Sequence, residues 1–451
     1  MRTLIATSML ATLVALGPAW PAAAAAPPEP PAFAPGELLV RFDGGRERLV
    51  ELPQGVAVGD AARALRSNPK VAYANPNYLA HASLVPNDPG LGTVPGDWRR
   101  TQWNFLPCGS LCGQSATPLP FEARGGVNAV DAWDILKLRG HPGAKGAVVA
   151  VLDTGVAYMS QRPGYRKSPD FLSSQFLPGR NFVKEGAKPL DRDGHGTHIT
   201  GTIAERSGNN FSLTGLASRA KIIPVQVLDS QGLGTGRDIG EGIRFAARNG
   251  ARVINMSFEF SAVVNSCAKI KSVCSAIRFA TKRKAVVVSA AGNENGEPVA
   301  LPAGAPSVIG VGRITKDGCL ASESRTGAGL DMVAPGGGLP LSPSCGSDDP
   351  LFSRGATITQ LTFAGGNFRV FGYQGGYEGT SMAAAHVSGV AAMVIASGVL
   401  GGRPSPAAVE CQLKATARHD STQLGQTYDP RLFGAGLVDA AAAVTARAPG
   451  C

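Results

Sequence analysis

Residues 147–156 read AVVAVLDTGV: an unbroken apolar run that stops at Asp153, then a Thr154-Gly155 turn. A short β-branched run with no polar alternation fits a strand buried on both faces. The signature returns at 222–228 (IIPVQVL), 253–256 (VINM), 285–288 (AVVV), 307–311 (SVIGV) and 330–333 (LDMV). Between the runs lie helical patterns at 196–205, 236–249, 275–282 and 380–397. Apolar strands alternating with helices predict an α/β fold: a doubly wound, mostly parallel sheet with helices on both faces. No internal repeat is seen. In such sheets chemistry gathers beyond the C-terminal ends of the strands.

Toward the N-terminus the pattern changes. Residues 83–130 are rich in Gly, Pro and Ser with little periodicity and read as a linker and covering arm. Residues 37–82 read as a small α+β unit. It has a strand at 37–42 (ELLVRF), a short helix at 60–66 (DAARALR) with Asp60 as its cap, and a strand at 71–73 broken by Asn75-Pro76-Asn77-Tyr78. So small a unit buries little surface alone and is expected to fold against the rest of the chain. Residues 27–36 (PPEPPAFAPG) are a Pro-rich spacer. Residues 1–26 have the form of a secretory signal: Arg2, an apolar stretch from Leu4 to Leu16, then small residues at 22–26. That stretch is shorter than the roughly 20 residues of a membrane span, and no later segment reaches about 18 uninterrupted apolar residues, so no membrane span is expected.

The 451 residues are 44% hydrophobic and 17% charged, enough for a sizeable core. Gly (58) and Pro (33) make up about a fifth of the chain, below the level of low-complexity sequence. The net charge is +10, but the basic residues are scattered and the densest group is Lys282-Arg283-Lys284. With aromatics at 6%, a nucleic-acid partner is not expected. Eight cysteines in an exported chain suggest disulfides, although spacing alone leaves on the order of a hundred connectivities open. The pairs proposed are 108–112, 267–274, 319–345 and 411–451. Cys267 and Cys274 on one straight helix would stand about 10.5 Å apart. The 267–271 segment must therefore lie outside the helix if they pair.

Four groups carry candidate chemistry. Asp153 closes the first buried strand; alone, it reads as a turn residue. His195 and His198 lie in DRDGHGTHITG (191–201), and histidines three apart also suit a zinc-binding helix, but the general-base Glu of a zinc protease is missing. Ser381 lies in YEGTSMAAAHVSGVAAM (377–393), at the start of a small-residue helix, where it is either an N-cap or a nucleophile with its own N–H pointing at an oxyanion. Asn293 follows a strand in VVVSAAGNEN (286–295) and is either a turn residue or an amide donor. Together they supply a weak nucleophile, its base, a carboxylate to orient the base, and oxyanion donors.

The segments VLDTGV, DGHGTHITG, AAGNEN and GTSMAAAHVSG, in that order, resemble the subtilisin-like serine proteases, and the resemblance extends over roughly residues 85–445. It implies a subtilisin-like fold in a peptidase domain of residues 83–451. By the same resemblance Asp153 would orient the base, His195 would be the base, Ser381 the nucleophile, and Asn293 with the Ser381 N–H would form the oxyanion hole. His198 and His386 are then structural. The 27–82 segment, especially NPKVAYANPNYLAH (68–81), resembles the family's inhibitory prodomain, whose C-terminal tail would occupy the active site. The mature enzyme would begin near residues 80–90. The expected protein is a secreted bacterial endopeptidase, extracellular or periplasmic, made as a self-processing zymogen. It acts on proteins or peptides, is inhibited by its own prodomain, is a monomer, and needs no cofactor for catalysis.

Three further points follow from the resemblance, two of them departures from the family pattern. Ala385 stands where the serine motif usually has Pro, with little effect expected. Asp170 and Asn209 resemble two side-chain ligands of a structural calcium site, while Asp191 and Asp193 read as turn carboxylates. The substrate pocket would be walled by Ser257, Phe258 and Glu259 on one side and Ala290, Ala291 and Gly292 on the other. Glu259 replaces a family Gly. Inside the pocket it would obstruct bulky apolar side chains and attract Lys or Arg; facing solvent it would do neither. Two other function classes share this sequence: a catalytically silent binding protein, disfavoured by four intact catalytic positions, and a peptide ligase working through the same acyl-enzyme.

Overall fold

The structure is a computed structural model that describes residues 33–53, 55–78, 85–108, 121–345, 355–421 and 424–451. The signal segment and most of the Pro-rich spacer lie outside these residues, as do Cys112 and the tail that joins the N-terminal unit to the rest.

Seven strands form one parallel sheet. They are β4 (Val148–Asp153), β5 (Arg180–Asn181), β6 (Lys221–Gln226), β7 (Val253–Met256), β8 (Val286–Ala290), β9 (Ile309–Ile314) and β10 (Met332–Pro335), in the order β10-β9-β8-β7-β4-β6-β5. Each predicted apolar run became one of these strands; the 253–256 run matches β7 at both ends, and the others have ends displaced by one to three residues. The runs lack polar alternation because both faces are covered. Val149 and Val151 of β4 enter a core beneath the helix Thr380–Ser397, whereas Ala150 and Leu152 enter another beneath the helices Gly236–Arg248 and Lys271–Lys282. The same division separates Val286 and Val288 from Val287.

The helix Thr380–Ser397 runs unbroken through Ala385, and every residue of it except Ile395 is buried. Among the described residues it is the helix long and apolar enough to cross a bilayer, and here it is the central core helix. Its small residues permit close packing: a Cβ on Gly389 would lie 2.9 Å from the Leu216 side chain. Gly398 ends it in the left-handed conformation at φ 72°.

The N-terminal unit is a three-stranded antiparallel sheet, ordered β2-β1-β3 from β1 (Phe33–Phe42), β2 (Arg48–Glu51) and β3 (Val71–Tyr78), with one helix, Val58–Arg66. Its core comprises Leu38, Val40, Val58, Ala62 and Ala74. Two expectations are corrected here. β3 continues through Asn75-Pro76-Asn77 to Tyr78, because it is an edge strand where a proline's missing N–H is tolerated. Asp60 is not the cap: the helix starts at Val58 after Ala57, and Asp60 sits in the first turn, paired with Arg63. The covering arm is more than a linker, since Trp98, Trp103 and Phe105 are buried in the main core. An antiparallel hairpin of β11 (Ile358–Ala364) and β12 (Asn367–Tyr377) completes the fold.

Disulfides join Cys267–Cys274, Cys319–Cys345 and Cys411–Cys451, with Cα separations of 5.8, 6.0 and 5.5 Å. Cys267 precedes the helix, which begins at Lys271, so the required departure from helical geometry is present. Cys108 is disulfide-bonded, but its proposed partner Cys112 lies outside the described residues.

Candidate active site

Asp153 ends β4 and is fully buried. Its Oδ1 accepts hydrogen bonds from the Thr154 N–H (2.7 Å) and from His195 Nδ1 (2.7 Å). This closeness requires Gly196, whose Cβ, if present, would strike the Gly155 carbonyl. The turn before His195 is organised by buried Asp191. It accepts hydrogen bonds from Thr154 Oγ1 (2.9 Å), the Gly194 N–H (3.0 Å), the Thr197 N–H (2.8 Å) and Thr197 Oγ1 (2.6 Å). The sequence reading of Asp191 as a turn carboxylate is correct in kind, and its bonds fix the turn that carries His195.

His195 is partly exposed, with 23% of its side chain accessible. Burial alone would lower its pKa, but the charge and hydrogen bond of Asp153, with the charges of Asp193 and Asp191, raise it above the ordinary 6.5. A raised pKa keeps the imidazolium to higher pH, so the base form is lost as pH falls through that value. The kcat/KM profile is therefore expected to have its acid limb above pH 6.5, and Asp193→Asn should move the limb to lower pH. A limb below 6.5, or one that Asp193→Asn leaves in place, would contradict this electrostatic account.

Ser381 is in the first turn of its helix, where its N–H has no intrahelical acceptor. Its Oγ donates to the Ser257 carbonyl (3.1 Å). The backbone there is tied by a chain of buried bonds: Ser388 Oγ donates to Asn255 Oδ1 (2.9 Å), Asn255 Nδ2 to Ser257 Oγ (2.9 Å), and Ser257 Oγ to the Ser381 carbonyl (2.9 Å). Sequence reading missed Asn255 and Ser388, although Asn255 stands within the VINM run as its one polar residue.

Asn293 follows β8. Its Oδ1 accepts from the Thr380 N–H (2.8 Å) and Thr380 Oγ1 (3.2 Å), leaving Nδ2 as the donor end. The Asn293 N–H donates to Glu259 Oε1 (2.9 Å). Glu259 is neither solvent-facing nor free. It bends over Gly292 toward Arg325, and burial raises its pKa against the Asn293 bond.

These groups meet in a cleft of about 360 Å³ lined by Thr154, His195, Ser257, Glu259, Asn293 and Ser381, among others. Phe258 and Ala290 line it too, while Ala291 is wholly buried behind it. A larger hollow of about 560 Å³ beside the Cys267–Cys274 disulfide holds no base next to a nucleophile. His198 and His386 are buried and held neutral, with burial lowering their pKa values to about 3 and about 4. His198 stacks on Tyr377 at 4.1 Å and bonds the Ile358 carbonyl (3.0 Å), so the β11–β12 hairpin braces the helix that carries His195.

The residues read as calcium ligands stand together. Asn209 Nδ2 donates to Asp170 Oδ1 (2.7 Å), and Asp88 accepts from the Gly208 and Asn209 N–H groups at 2.8 and 3.0 Å. Sequence reading missed Asp88 and Glu205. Burial pushes Asp170 up to about 8 and raises Glu205 well above the carboxylate range. Asp170 Oδ2, both Glu205 carboxylate oxygens and Ser212 Oγ are buried without a hydrogen-bond partner. Orphaned carboxylate and hydroxyl oxygens are the donors a hard cation takes. No group of three or more His, Cys, Asp or Glu among the described residues is already arranged around one.

Known proteins agree with this architecture. Residues 144–436 match the Peptidase_S8 profile, described as the subtilase family. The chain is 32% identical over 336 residues to a thermophilic serine proteinase of a Bacillus species, a match covering 74% of this chain and 66% of that protein. It is 30% identical over 450 residues to an extracellular protease of Xanthomonas campestris, covering 91% of this chain and 64% of that one. Among solved structures, a protease of Pseudoalteromonas arctica aligns with a TM-score of 0.61 at 30% identity, covering 80% of this chain and 99% of the other. With the profile matched over residues 144–436 and relatives at 30% identity or more, the chain belongs to the subtilase family of serine peptidases.

Proposed function

We propose that this chain is a secreted serine endopeptidase, made as a zymogen that processes itself. The observation that carries the reading is the meeting of His195, Ser381 and Asn293, from three separate segments, in one cleft, with Asp153 from a fourth bonded to His195 behind it. Ser381 Oγ first turns from the Ser257 carbonyl toward His195 Nε2. It attacks the substrate carbonyl carbon while Nε2 takes its proton, and Asp153 holds the imidazole by Nδ1 and offsets its charge. The tetrahedral oxyanion is met by Asn293 Nδ2–H and the Ser381 N–H. Collapse passes the proton to the departing amine and leaves an acyl-enzyme, which water hydrolyses by the same steps in reverse order. Hydrolysis of an unstructured protein, lost on treatment with an acylating serine inhibitor, tests the reading. Intact substrate at every pH from 6 to 10 would overturn it.

Residues 27–82 act as the inhibitory prodomain and 83–451 as the peptidase. The disulfides suit an oxidising compartment, which supports export by the 1–26 segment. A ligase reading is separated by adding an amine nucleophile: transpeptidation that dominates over hydrolysis would favour it.

Asp170, Asn209 and Glu205, with loop carbonyls, would hold a structural calcium, which supplies cross-linking charge and no catalytic step. At a calcium concentration one hundred times Kd, such a site contributes about 2.7 kcal/mol. At about 2–4 °C per kcal/mol, chelation should lower Tm by roughly 5–10 °C in calorimetry. A Tm that ignores chelator would count against a tight, exchangeable site.

A further inference from the structure

We infer that Glu259 closes the floor of the substrate pocket, restricting cleavage to bonds after small residues, and that the same carboxylate positions Asn293. The inference rests on the peptidase reading above and names the substrate class of that site.

The pocket follows from the reaction geometry. A scissile carbonyl with its carbon at Ser381 Oγ and its oxygen at Asn293 Nδ2 sends the side chain of its own residue between two segments. One is Ser257–Glu259 after β7, the other Ala290–Gly292 after β8. A Cβ built on Gly292 would collide with Glu259 Oε2, and would stand 2.7 Å from Arg325 Cδ and 3.2 Å from Ala300 Cβ. The space over Gly292 is therefore filled by Glu259, Arg325 and Ala300.

The plug is anchored. Glu259 Oε1 accepts the Asn293 N–H at 2.9 Å, and Oε2 lies 3.9 Å from Arg325 Nε. Arg325 is itself fixed, with Nη2 on Glu294 (2.7 Å) and Nη1 on the Pro298 carbonyl (3.2 Å), and 11% of its side chain exposed. Displacing Glu259 with a large apolar side chain would strand a partly buried carboxylate and guanidinium. The arrangement also argues against Lys or Arg selectivity, since the carboxylate already faces a guanidinium and a backbone donor. A Gly, Ala or Ser side chain fits above the plug; Leu, Phe and Lys meet it.

Glu259 also sets the oxyanion donor. Asn293 is held at its N–H by Glu259 and at its Oδ1 by Thr380. Losing the first anchor frees the backbone that aims Nδ2, a fault felt in turnover rather than in substrate binding. Glu259 is thus a positioning residue as well as a specificity determinant.

The test measures kcat and KM on matched peptides with Gly, Ala, Ser, Leu, Phe or Lys before the scissile bond. It compares wild type, Glu259→Gln and Glu259→Gly, and monitors fluorophosphonate labelling of Ser381 in each. Wild type should favour Ala and Ser over Leu and Phe by about tenfold or more, the scale set by a few methylenes of misfit. Glu259→Gln keeps the bulk and an acceptor for Asn293, so the ranking should stay. Glu259→Gly should raise Leu and Phe relative to Ala by about 10–100-fold, and lower kcat on the Ala peptide with KM little changed; Gln should restore part of that kcat. Phe matching Ala in wild type, identical rankings in wild type and Glu259→Gly, or a Lys preference lost in Glu259→Gln would each overturn the inference. Absence of Ser381 labelling in wild type would overturn the peptidase reading, and this one with it. Labelling with a Phe preference overturns this inference alone.

Discussion

Ser381→Ala is expected to lower kcat by about six orders of magnitude and to leave the precursor uncut. The helix start that holds Ser381 is fixed by Ser257, Asn255 and Ser388, so the substitution removes one oxygen without disturbing its surroundings. In subtilisin, losing the serine or the histidine alone costs about as much as losing the whole triad, near 2 × 10⁶ in kcat. The double variant His195→Ala/Ser381→Ala should therefore be no slower than Ser381→Ala. Expressed in a protease-free host, Ser381→Ala should accumulate a chain that still carries residues 27–82. Normal maturation of that variant would mean another protease makes the cut.

Asn293→Ala should lower kcat by about 10²–10³, or about 2.7–4 kcal/mol, with KM nearly constant; this range is the one measured for the equivalent donor in subtilisin. The Thr380 N–H and hydroxyl hold Asn293 Oδ1 before substrate arrives, so in the proposed role its Nδ2 would act on charge that develops only in the transition state. Steady-state kinetics on one good peptide distinguishes the roles: a rise in KM at unchanged kcat would mark Asn293 as a substrate-binding residue instead.

Much of this was legible in residue order. The six apolar runs became six of the seven sheet strands, because burial on both faces leaves a continuous signal. Motifs singled out Asp153, His195, Ser381 and Asn293, which the fold brings together because each stands at or near a strand or helix end. Two-residue β5 was too short to show a pattern. The β11–β12 hairpin was missed although its signal was present: residues 358–364 and 367–377 flank Gly365-Gly366, whose φ values of 57° and 71° suit a tight hairpin turn. Asp88 and Glu205 were invisible because a carboxylate that will be buried looks like any surface charge until the chain folds. The position of Glu259 was named, but whether it faced pocket or solvent depended on Arg325, which is distant in sequence and unmarked by any motif.

The central claim is that Ser381 is a nucleophile activated by His195. Mass mapping after treatment with a fluorophosphonate tests it most directly. The account predicts one adduct per chain, on Ser381, absent from Ser381→Ala and strongly slowed in His195→Ala. No adduct on the processed wild-type protein, or an adduct elsewhere that survives Ser381→Ala, would contradict it.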